Sequence, residues 1–274
     1  MLIKVLMENT SISDDFATEH GLCLYIEVGG QKLLFDTGSS DKFIQNSKNL
    51  NVDLREVDLV FISHGHYDHG GGLKAFMELN NRAKIYVNKK AFGDYYSQDP
   101  KGKKKYIGLD KSLLNYDRFV FTDDHFIVNK KLQLFSKISG KRLLPSTNKN
   151  LLMKAQEEFI PDNFIHEQNL IINEEGKITL IAGCAHRGIV NIVDSCIEIV
   201  KTPPQYVIGG FHLYNPTEDR YEEESILKEI ANNLLDRGAK YYTCHCTGIK
   251  SYERLKSFMG DKIDYITTGD KLII

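Results

Sequence analysis

The chain has 274 residues, of which 42% are hydrophobic and 26% charged, and its formal net charge at pH 7 is −2. Such a chain can bury a core, and its near-neutral charge argues against a nucleic-acid partner. No stretch approaches the ~20 apolar residues of a membrane span, so we expect no membrane partner. The five cysteines, an odd number, favour reduced thiols and a cytoplasmic location over a disulfide framework.

The predicted elements alternate strands with polar loops and helices. Gly29-Gly30 splits two β-rich runs, which predicts a hairpin, and Pro203-Pro204 closes the helix predicted at residues 189–200. The strands are predicted at residues 1–7, 22–28, 31–35, 57–62, 83–87, 119–121, 126–128, 169–172, 177–181, 206–208 and 241–243, with a last strand pair over 265–274. The helices are predicted at residues 41–50, 73–79, 189–200, 221–237 and 249–258.

Residues from about 89 to 150 lack a clean period and predict a lid or insert in a single domain of residues 1–274. Their lysine group (Lys101, Lys103, Lys104 and Lys105) has two interpretations, a contact for a substrate phosphate or a solvated surface. The two β-rich halves with outer helices predict an α/β fold, a four-layer αββα sandwich. We expect the functional site at a sheet edge, where strand ends deliver polar side chains.

The strongest chemical signal is Ser63-His64-Gly65-His66-Tyr67-Asp68-His69, which follows the strand predicted at 57–62. It places three imidazoles and a carboxylate within six residues. Neutral imidazoles bind zinc, iron and similar metals, and a carboxylate can hold a second ion. The segment therefore predicts a divalent-metal site.

His64-Gly65-His66-Tyr67-Asp68-His69 resembles the His-x-His-x-Asp-His signature of the metallo-β-lactamase superfamily. The resemblance extends over the whole chain, because Asp36 and His245 also stand where the family places acidic and histidine residues. It implies that His64 and His66 bind one metal ion, while Asp68 and His69 bind a second.

A narrower resemblance rests on Gly183–Asn191, Gly209–Leu213 and His245–Gly248. These segments are similar to the subgroup of metal-dependent hydrolases, superfamily II, which includes a dihydropterin–ribofuranosylaminobenzene 5′-phosphate synthase. The resemblance implies His186 as third ligand of the first metal and His245 as a ligand of the second. Most of the superfamily has a bridging Asp in a Gly-Asp pair, whereas this chain has Gly183-Cys184. Either Cys184 takes the bridging position or the bridge is absent, so the number of ions, one or two, stays open.

Several polar residues have two interpretations. His166 competes with His186 as a ligand, and Asp36 either orients a ligand imidazole or caps a turn. His212 is either a catalytic group or a loop histidine. Cys244 and Cys246 are either zinc ligands or small buried residues. His20 and His125 belong to no recognisable motif.

The expected function is metal-dependent hydrolysis of an ester or phosphoester-type small molecule, with one or two Zn²⁺, or Mn²⁺ or Fe²⁺, as cofactor. Asp68 is the expected contact of the nucleophilic water, and His212 the group that protonates or stabilises the leaving group. The subgroup implies an alternative, a transferase acting on a pterin diphosphate. A non-haem di-iron redox protein and a non-catalytic metal-binding protein are alternatives of another class.

Overall fold

The structure is a computed structural model that describes all residues from 1 to 274. It contains twenty strands and six α-helices, none of which is long and apolar enough to cross a membrane. The strands are β1 Leu2–Met7, β2 Cys23–Val28, β3 Gln31–Phe35, β4 Leu59–Ile62, β5 Lys84–Asn88, β6 Tyr95–Gln98, β7 Lys104–Tyr106, β8 Phe119–Thr122, β9 His125–Ile127, β10 Leu132–Phe135, β11 Leu151–Ala155, β12 Glu158–Pro161, β13 Asn169–Glu174, β14 Lys177–Ile181, β15 Tyr206–Gly209, β16 Tyr214–Asn215, β17 Arg220–Tyr221, β18 Lys240–Thr243, β19 Ile263–Tyr265 and β20 Lys271–Ile273. The helices are α1 Lys42–Asn49, α2 Tyr67–Gly70, α3 Leu73–Leu79, α4 Ile189–Val200, α5 Glu224–Asp236 and α6 Ile249–Met259.

The chain divides into two compact units. The first unit consists of Met1–Gly93, Ile107–Asp123 and Ile266–Ile274, and the second of Asp94–Tyr106 and Asp124–Tyr265. Three of the four passages of the chain between units, after Gly93, Tyr106 and Asp123, fall inside the segment predicted as a lid or insert. The description of residues 1–274 as one domain with such an insert stays a prediction.

The first unit is built on a seven-stranded sheet in the order β20-β1-β2-β3-β4-β5-β8. The predicted hairpin is β2 and β3, and its turn takes Gly29 and Gly30 at positive φ, where glycine has no Cβ penalty. From β3 to β8 the strands run parallel. Their carboxyl ends therefore meet at one edge, and the histidine motif follows β4 at that edge. Phe43 of α1 and Phe76 of α3 are fully buried in the core cluster of this sheet.

The second unit contains a seven-stranded sheet in the order β19-β18-β15-β14-β13-β10-β9. The hairpin of β13 and β14 turns at Gly176, which has a φ of 85°. From β14 to β19 the strands are parallel, so the loops after β14, β15 and β18 share an edge. The apolar stripe of α4, including Ile192 and Val193, is buried in the core beside Leu234 of α5.

A four-stranded sheet in the order β12-β11-β6-β7 also belongs to the second unit and is absent from the elements predicted above. The lysine group therefore lies partly in a regular strand, although the sequence predicted an aperiodic lid or insert there. Lys104 and Lys105 lie in β7, which pairs with β6 across a turn at Gly102, with a φ of 83°. The ring of Tyr106 packs edge-on against Tyr96 with centroids 5.4 Å apart. Aromatic contact across the strands thus stabilises a hairpin in a segment where the sequence predicted no regular strand.

The C-terminal strands differ from the predicted pair. β19 lies parallel to β18 in the second unit, whereas β20 pairs antiparallel with β1 in the first. Between them Thr267 N donates to the Asp270 side chain at 2.8 Å, and Gly269 has a φ of 100°. This turn redirects the chain, so two strands adjacent in sequence join different sheets.

Candidate metal centre

The histidine motif forms a buried cluster in the first unit. It leaves β4 at Ser63 and passes into the short helix α2, which contains Asp68 and His69. His64 and His69 are fully buried, and His66 and Asp68 are 4% and 7% exposed. A polar cluster so deeply buried requires hydrogen bonds, ion pairs or a metal to offset its desolvation.

Two of these imidazoles direct ring nitrogens at a common point. His64 Nε2 lies 3.1 Å from His66 Nδ1, and two nitrogens bound to one tetrahedral zinc ion at ~2.1 Å would stand ~3.4 Å apart. One ligand atom from each of His64, His66 and Asp68 lies within 4.8 Å of the others. The side chains present therefore fit a borderline divalent cation such as Zn²⁺, Mn²⁺ or Fe²⁺.

Asp36 makes the contacts of an orienting residue. Its Oδ2 lies 2.6 Å from His69 Nδ1 and accepts a hydrogen bond from Ser63 Oγ at 2.7 Å, while Oδ1 accepts from Ser63 N at 2.7 Å. Burial raises the pKa of Asp36, and His69 and the Ser63 donors act in the opposite direction. With Nδ1 of His69 held by a carboxylate, Nε2 is the nitrogen available to a metal, and it lies 3.5 Å from Asp68 Oδ2.

Ser63 and His20 also belong to this cluster, although neither was expected as a metal ligand. Ser63 Oγ donates to Asp36, so its lone pair can accept from His64 Nδ1 at 2.9 Å, and this arrangement leaves the lone pair of His64 on Nε2. His20 Nε2 lies 3.3 Å from Asp68 Oδ2, with the imidazole 41% exposed. Of these two residues, only Ser63, the first residue of the motif, had a sequence signal.

The glycines after the motif allow the loop at residues 37–40 to pack against it. A Cβ on Gly71 would lie 2.2 Å from Ser39 O, and one on Gly72 would lie 2.3 Å from Thr37 O. Real Cβ atoms do not approach so closely. The close backbone contact thus requires glycine and fixes the frame of the cluster.

In the second unit, three loops at the shared sheet edge contain the other predicted site histidines. His186 follows β14, His212 follows β15, and His245 follows β18 in the 3₁₀ turn His245–Thr247. His212 and His245 have φ values of 49° and 53°, and Ala185, beside His186, has 56°. Left-handed backbone at non-glycine residues is strained and clusters at functional sites. His186 and His245 are each 1% exposed.

The imidazole of His186 is held on several sides. Its Nδ1 lies 2.9 Å from Asn148 Oδ1, and the ring stacks on Phe164 with centroids 4.4 Å apart and planes 3° apart. The backbone N–H of His186 donates to Glu167 Oε1 at 2.7 Å. The ring centroid of His212 is 4.1 Å away. The structure therefore brings His186 and His212 together; Asn148 and Glu167 were not anticipated, because neither belongs to a recognisable pattern.

The cysteines of the second unit are buried, and none of them forms a disulfide. One ligand atom from each of Cys184, His212 and Cys246 lies within 4.8 Å of the others, and His212 N donates to Cys246 Sγ at 3.3 Å. Cys244 is fully buried. The thiols at positions 184 and 246 are therefore able to face a metal, whereas the cysteine at position 244 has the burial of a small apolar residue.

The remaining histidines have other partners. His166 Nε2 lies 3.1 Å from Asp162 Oδ2 with both side chains fully buried, and Tyr95 packs on the ring at 4.0 Å. This contact engages one of the two ring nitrogens of His166, the residue that was expected to compete with His186 as a metal ligand. His125 lies on β9, with its Nε2 3.0 Å from Gln133 Oε1.

Comparison with known proteins identifies the class to which this fold and these histidine clusters belong. Residues 18–190 match the model of the metallo-β-lactamase superfamily. That range is more than half of the chain, so the protein belongs to this superfamily. The α/β class and the αββα metallo-β-lactamase fold predicted from the sequence are confirmed.

The narrower resemblance is also confirmed. Over 253 residues, the chain is 28% identical to a 7,8-dihydropterin-6-methyl-4-(β-D-ribofuranosyl)-aminobenzene-5′-phosphate synthase of Methanocaldococcus jannaschii, covering 86% of this chain and 83% of that protein. An uncharacterized protein of the same organism is 28% identical over 259 residues, 93% of each chain. The crystal structure of Tm1679, a metal-dependent hydrolase of the β-lactamase superfamily, superposes with a TM-score of 0.82 at 30% identity, covering 100% of this chain and 99% of that one.

Proposed function

We propose that this protein is a metal-dependent hydrolase of small molecules that carry an ester or phosphoester bond. The observation that carries the proposal is the convergence of His64 Nε2 and His66 Nδ1, 3.1 Å apart, beside the Asp68 carboxylate. Superfamily membership and the similarity to a metal-dependent hydrolase support it. We expect a small-molecule substrate, phosphorylated in keeping with the lysine group at 101–105, and neither nucleic acid nor membrane as partner.

The ligand set that we propose follows the family pattern. His64, His66 and His186 hold one divalent ion, Zn²⁺ in the first instance, and Asp68, His69 and His245 hold a second. Asp36 supports this set by keeping the proton of His69 on Nδ1, and Asn148 does the same for His186. A bound divalent ion lowers the pKa of water towards ~7 and polarises the scissile carbonyl or phosphoryl oxygen.

The chain's own residues then have separate tasks. Asp68 accepts a hydrogen bond from the attacking water and orients it. His212 donates a proton or a hydrogen bond to the leaving group. Its backbone has a positive φ, and its ring lies beside that of His186. Burial of His64, His66 and His69 excludes bulk water, which strengthens every polar interaction within the cluster.

The test measures metal content and turnover together. Purified protein is assayed for bound metals and then screened against phosphodiesters, lactones and thioesters. A His66→Ala variant should lose both metal and hydrolysis while staying folded, and His125→Ala, remote in sequence and bonded to Gln133, should lose neither. Unchanged turnover in the His66→Ala variant would refute the proposal.

A second candidate is a transferase of the pterin pathway. The observation that favours it is the 28% identity, over 86% of the chain, to a protein named as a synthase of a dihydropterin–ribofuranosylaminobenzene phosphate. In this reaction the same cations would stabilise the diphosphate as its bond to the pterin methylene carbon breaks, while the aromatic acceptor forms a bond to that carbon and loses a proton. Incubation with a pterin diphosphate and the aromatic acceptor, followed by mass spectrometry, distinguishes the two: a condensed product supports the transferase, and hydrolysis alone supports the first proposal.

We further propose that the protein works in the cytoplasm, because none of its five cysteines forms a disulfide. Metal analysis also tests the alternative of a non-haem di-iron redox protein. A di-iron protein would purify with iron and show its absorption bands, whereas the zinc form that we propose is colourless.

A further inference from the structure

The short turn Ser146–Asn150 contacts both the ring and the backbone of His186. Asn148 Oδ1 lies 2.9 Å from Nδ1 of the imidazole, and Asn148 Nδ2 donates to the His186 carbonyl oxygen at 2.8 Å. The preceding residue, Thr147, donates its hydroxyl to the carbonyl oxygen of His212. One turn therefore contacts two histidines that lie in different loops.

The double contact of Asn148 fixes the direction of its amide. Because Nδ2 serves the carbonyl oxygen of His186, the atom that faces the ring is the oxygen, which only accepts. The ring nitrogen Nδ1 must then carry the proton, and the lone pair is on Nε2. Phe164, stacked parallel at 4.4 Å, restrains rotation of the ring. Together they select one tautomer and one orientation of the imidazole.

The turn itself is anchored at both ends by the segment that follows His212. Ser146 N donates to Glu222 Oε2 at 2.8 Å, and Arg220 Nη2 donates to Ser146 O at 3.1 Å. At the other end Asn215 Nδ2 donates to Asn150 Oδ1 at 3.1 Å. The position of Asn148 is therefore set by hydrogen bonds that involve no metal ligand.

We propose that Asn148 is a positioning residue that presents Nε2 of His186 to the metal. This inference rests on the proposed function, since it takes His186 as a ligand. Without the amide oxygen, the imidazole loses its preference for the tautomer with a free Nε2. Removal of a partner that orients a ligand histidine typically weakens metal binding ~10–100-fold, and we expect that range here.

The experiment compares three variants of the full-length protein. Asn148→Leu removes both contacts at similar volume. Asn148→Asp keeps an acceptor for Nδ1. Asn150→Leu alters the same turn but touches Asn215 and Ser97 rather than a histidine. The dissociation constant for Zn²⁺ is measured by competition with a chromophoric chelator, and the visible spectrum of the Co²⁺-loaded protein reports the ligand geometry.

We expect Zn²⁺ to bind ~10–100-fold more weakly to Asn148→Leu, within about threefold of wild type to Asn148→Asp, and unchanged to Asn150→Leu. Equal affinities of the two leucine variants would overturn the inference. Should Asn148→Leu fail to fold, Asn148→Ser withdraws the same contacts and carries the same expectation. A His186→Ala variant separates the two levels: if it binds Zn²⁺ as wild type does, the proposed ligand set is wrong, whereas weak binding there with full affinity in Asn148→Leu refutes only the positioning role.

Discussion

Replacing Asp36 by asparagine keeps the shape of the side chain but removes the charge that His69 and Ser63 share. The carboxylate takes three hydrogen bonds, at 2.6, 2.7 and 2.7 Å. An amide offers one oxygen and turns its NH₂ towards another donor, so at least one buried N–H or O–H is left without an acceptor. Asparagine also tolerates the φ of 62° at this position, so backbone strain adds little.

The magnitude follows from these contacts. An unsatisfied buried donor costs ~1–3 kcal/mol, and weakening of the remaining charge-assisted bonds adds ~1 kcal/mol. Relief of a buried carboxylate, whose pKa burial raises, offsets part of this. We therefore expect a net loss of about 2 kcal/mol in the apo protein, or ~4–8 °C in Tm for a chain of this size. Zn²⁺ should bind ~10–100-fold more weakly, because His69 loses its orienting partner.

The assay pairs calorimetry of the metal-free protein with chelator competition for Zn²⁺. Asp58→Asn is the matched control, because Asp58 accepts from Lys32 N at 3.0 Å between β3 and β4 but lies before β4 rather than after it. Its Zn²⁺ affinity should equal that of wild type. If the folded Asp36→Asn protein binds Zn²⁺ as tightly as this control does, Asp36 does not orient a metal ligand.

Further measurements test the metal, the frame and the core. Stripping the metal from protein saturated at ~100 times its dissociation constant removes ~2.7 kcal/mol and should lower Tm by ~5–10 °C; an unchanged Tm after verified removal contradicts a folded-state site. The Cβ of a Gly71→Ala variant would stand 2.2 Å from Ser39 O, so this change should lower the free energy of unfolding in urea by more than ~3 kcal/mol. The control is Gly176→Ala, which has open space at positive φ and should lose ~1 kcal/mol. Similar losses in the two variants would show that Gly71 is not required by close backbone packing. Burial raises the pKa of Cys196 to about 12, so iodoacetamide at pH 8 should leave it unmodified in native protein and label it in denaturant, and native labelling would refute its burial.

Local patterns in the sequence were sufficient for most strands of the two main sheets, although not for β10, and for the first histidine cluster. Gly29-Gly30 and Gly176 mark the two hairpin turns, and the apolar stripe of residues 189–200 matches α4 at both ends. The motif at 63–69 predicts a metal site because its candidate ligands are neighbours in sequence. These features depend on residues a few positions apart, which a pattern records directly.

Features that depend on distant pairing could not be predicted in this way. β6 pairs with β11 through Tyr96 and Leu152, yet both strands are short and neither alternates polar and apolar residues cleanly. Asn148 contacts His186 across 38 residues, and His20 reaches Asp68 from a loop before β2. Isolated polar residues have no periodicity, so their partners become apparent only once the fold brings them together.

The pairing of β20 with β1 sets an order of events during synthesis. Leu2 faces Ile273 in this ladder, so β1 cannot complete its pairing until the distant segment Lys271–Ile273 has been made. Until Lys271–Ile273 emerges, the outer edge of β1 stays open to other growing chains, and open strand edges promote aggregation. Slow translation is expected to lengthen this exposure of the strand edge.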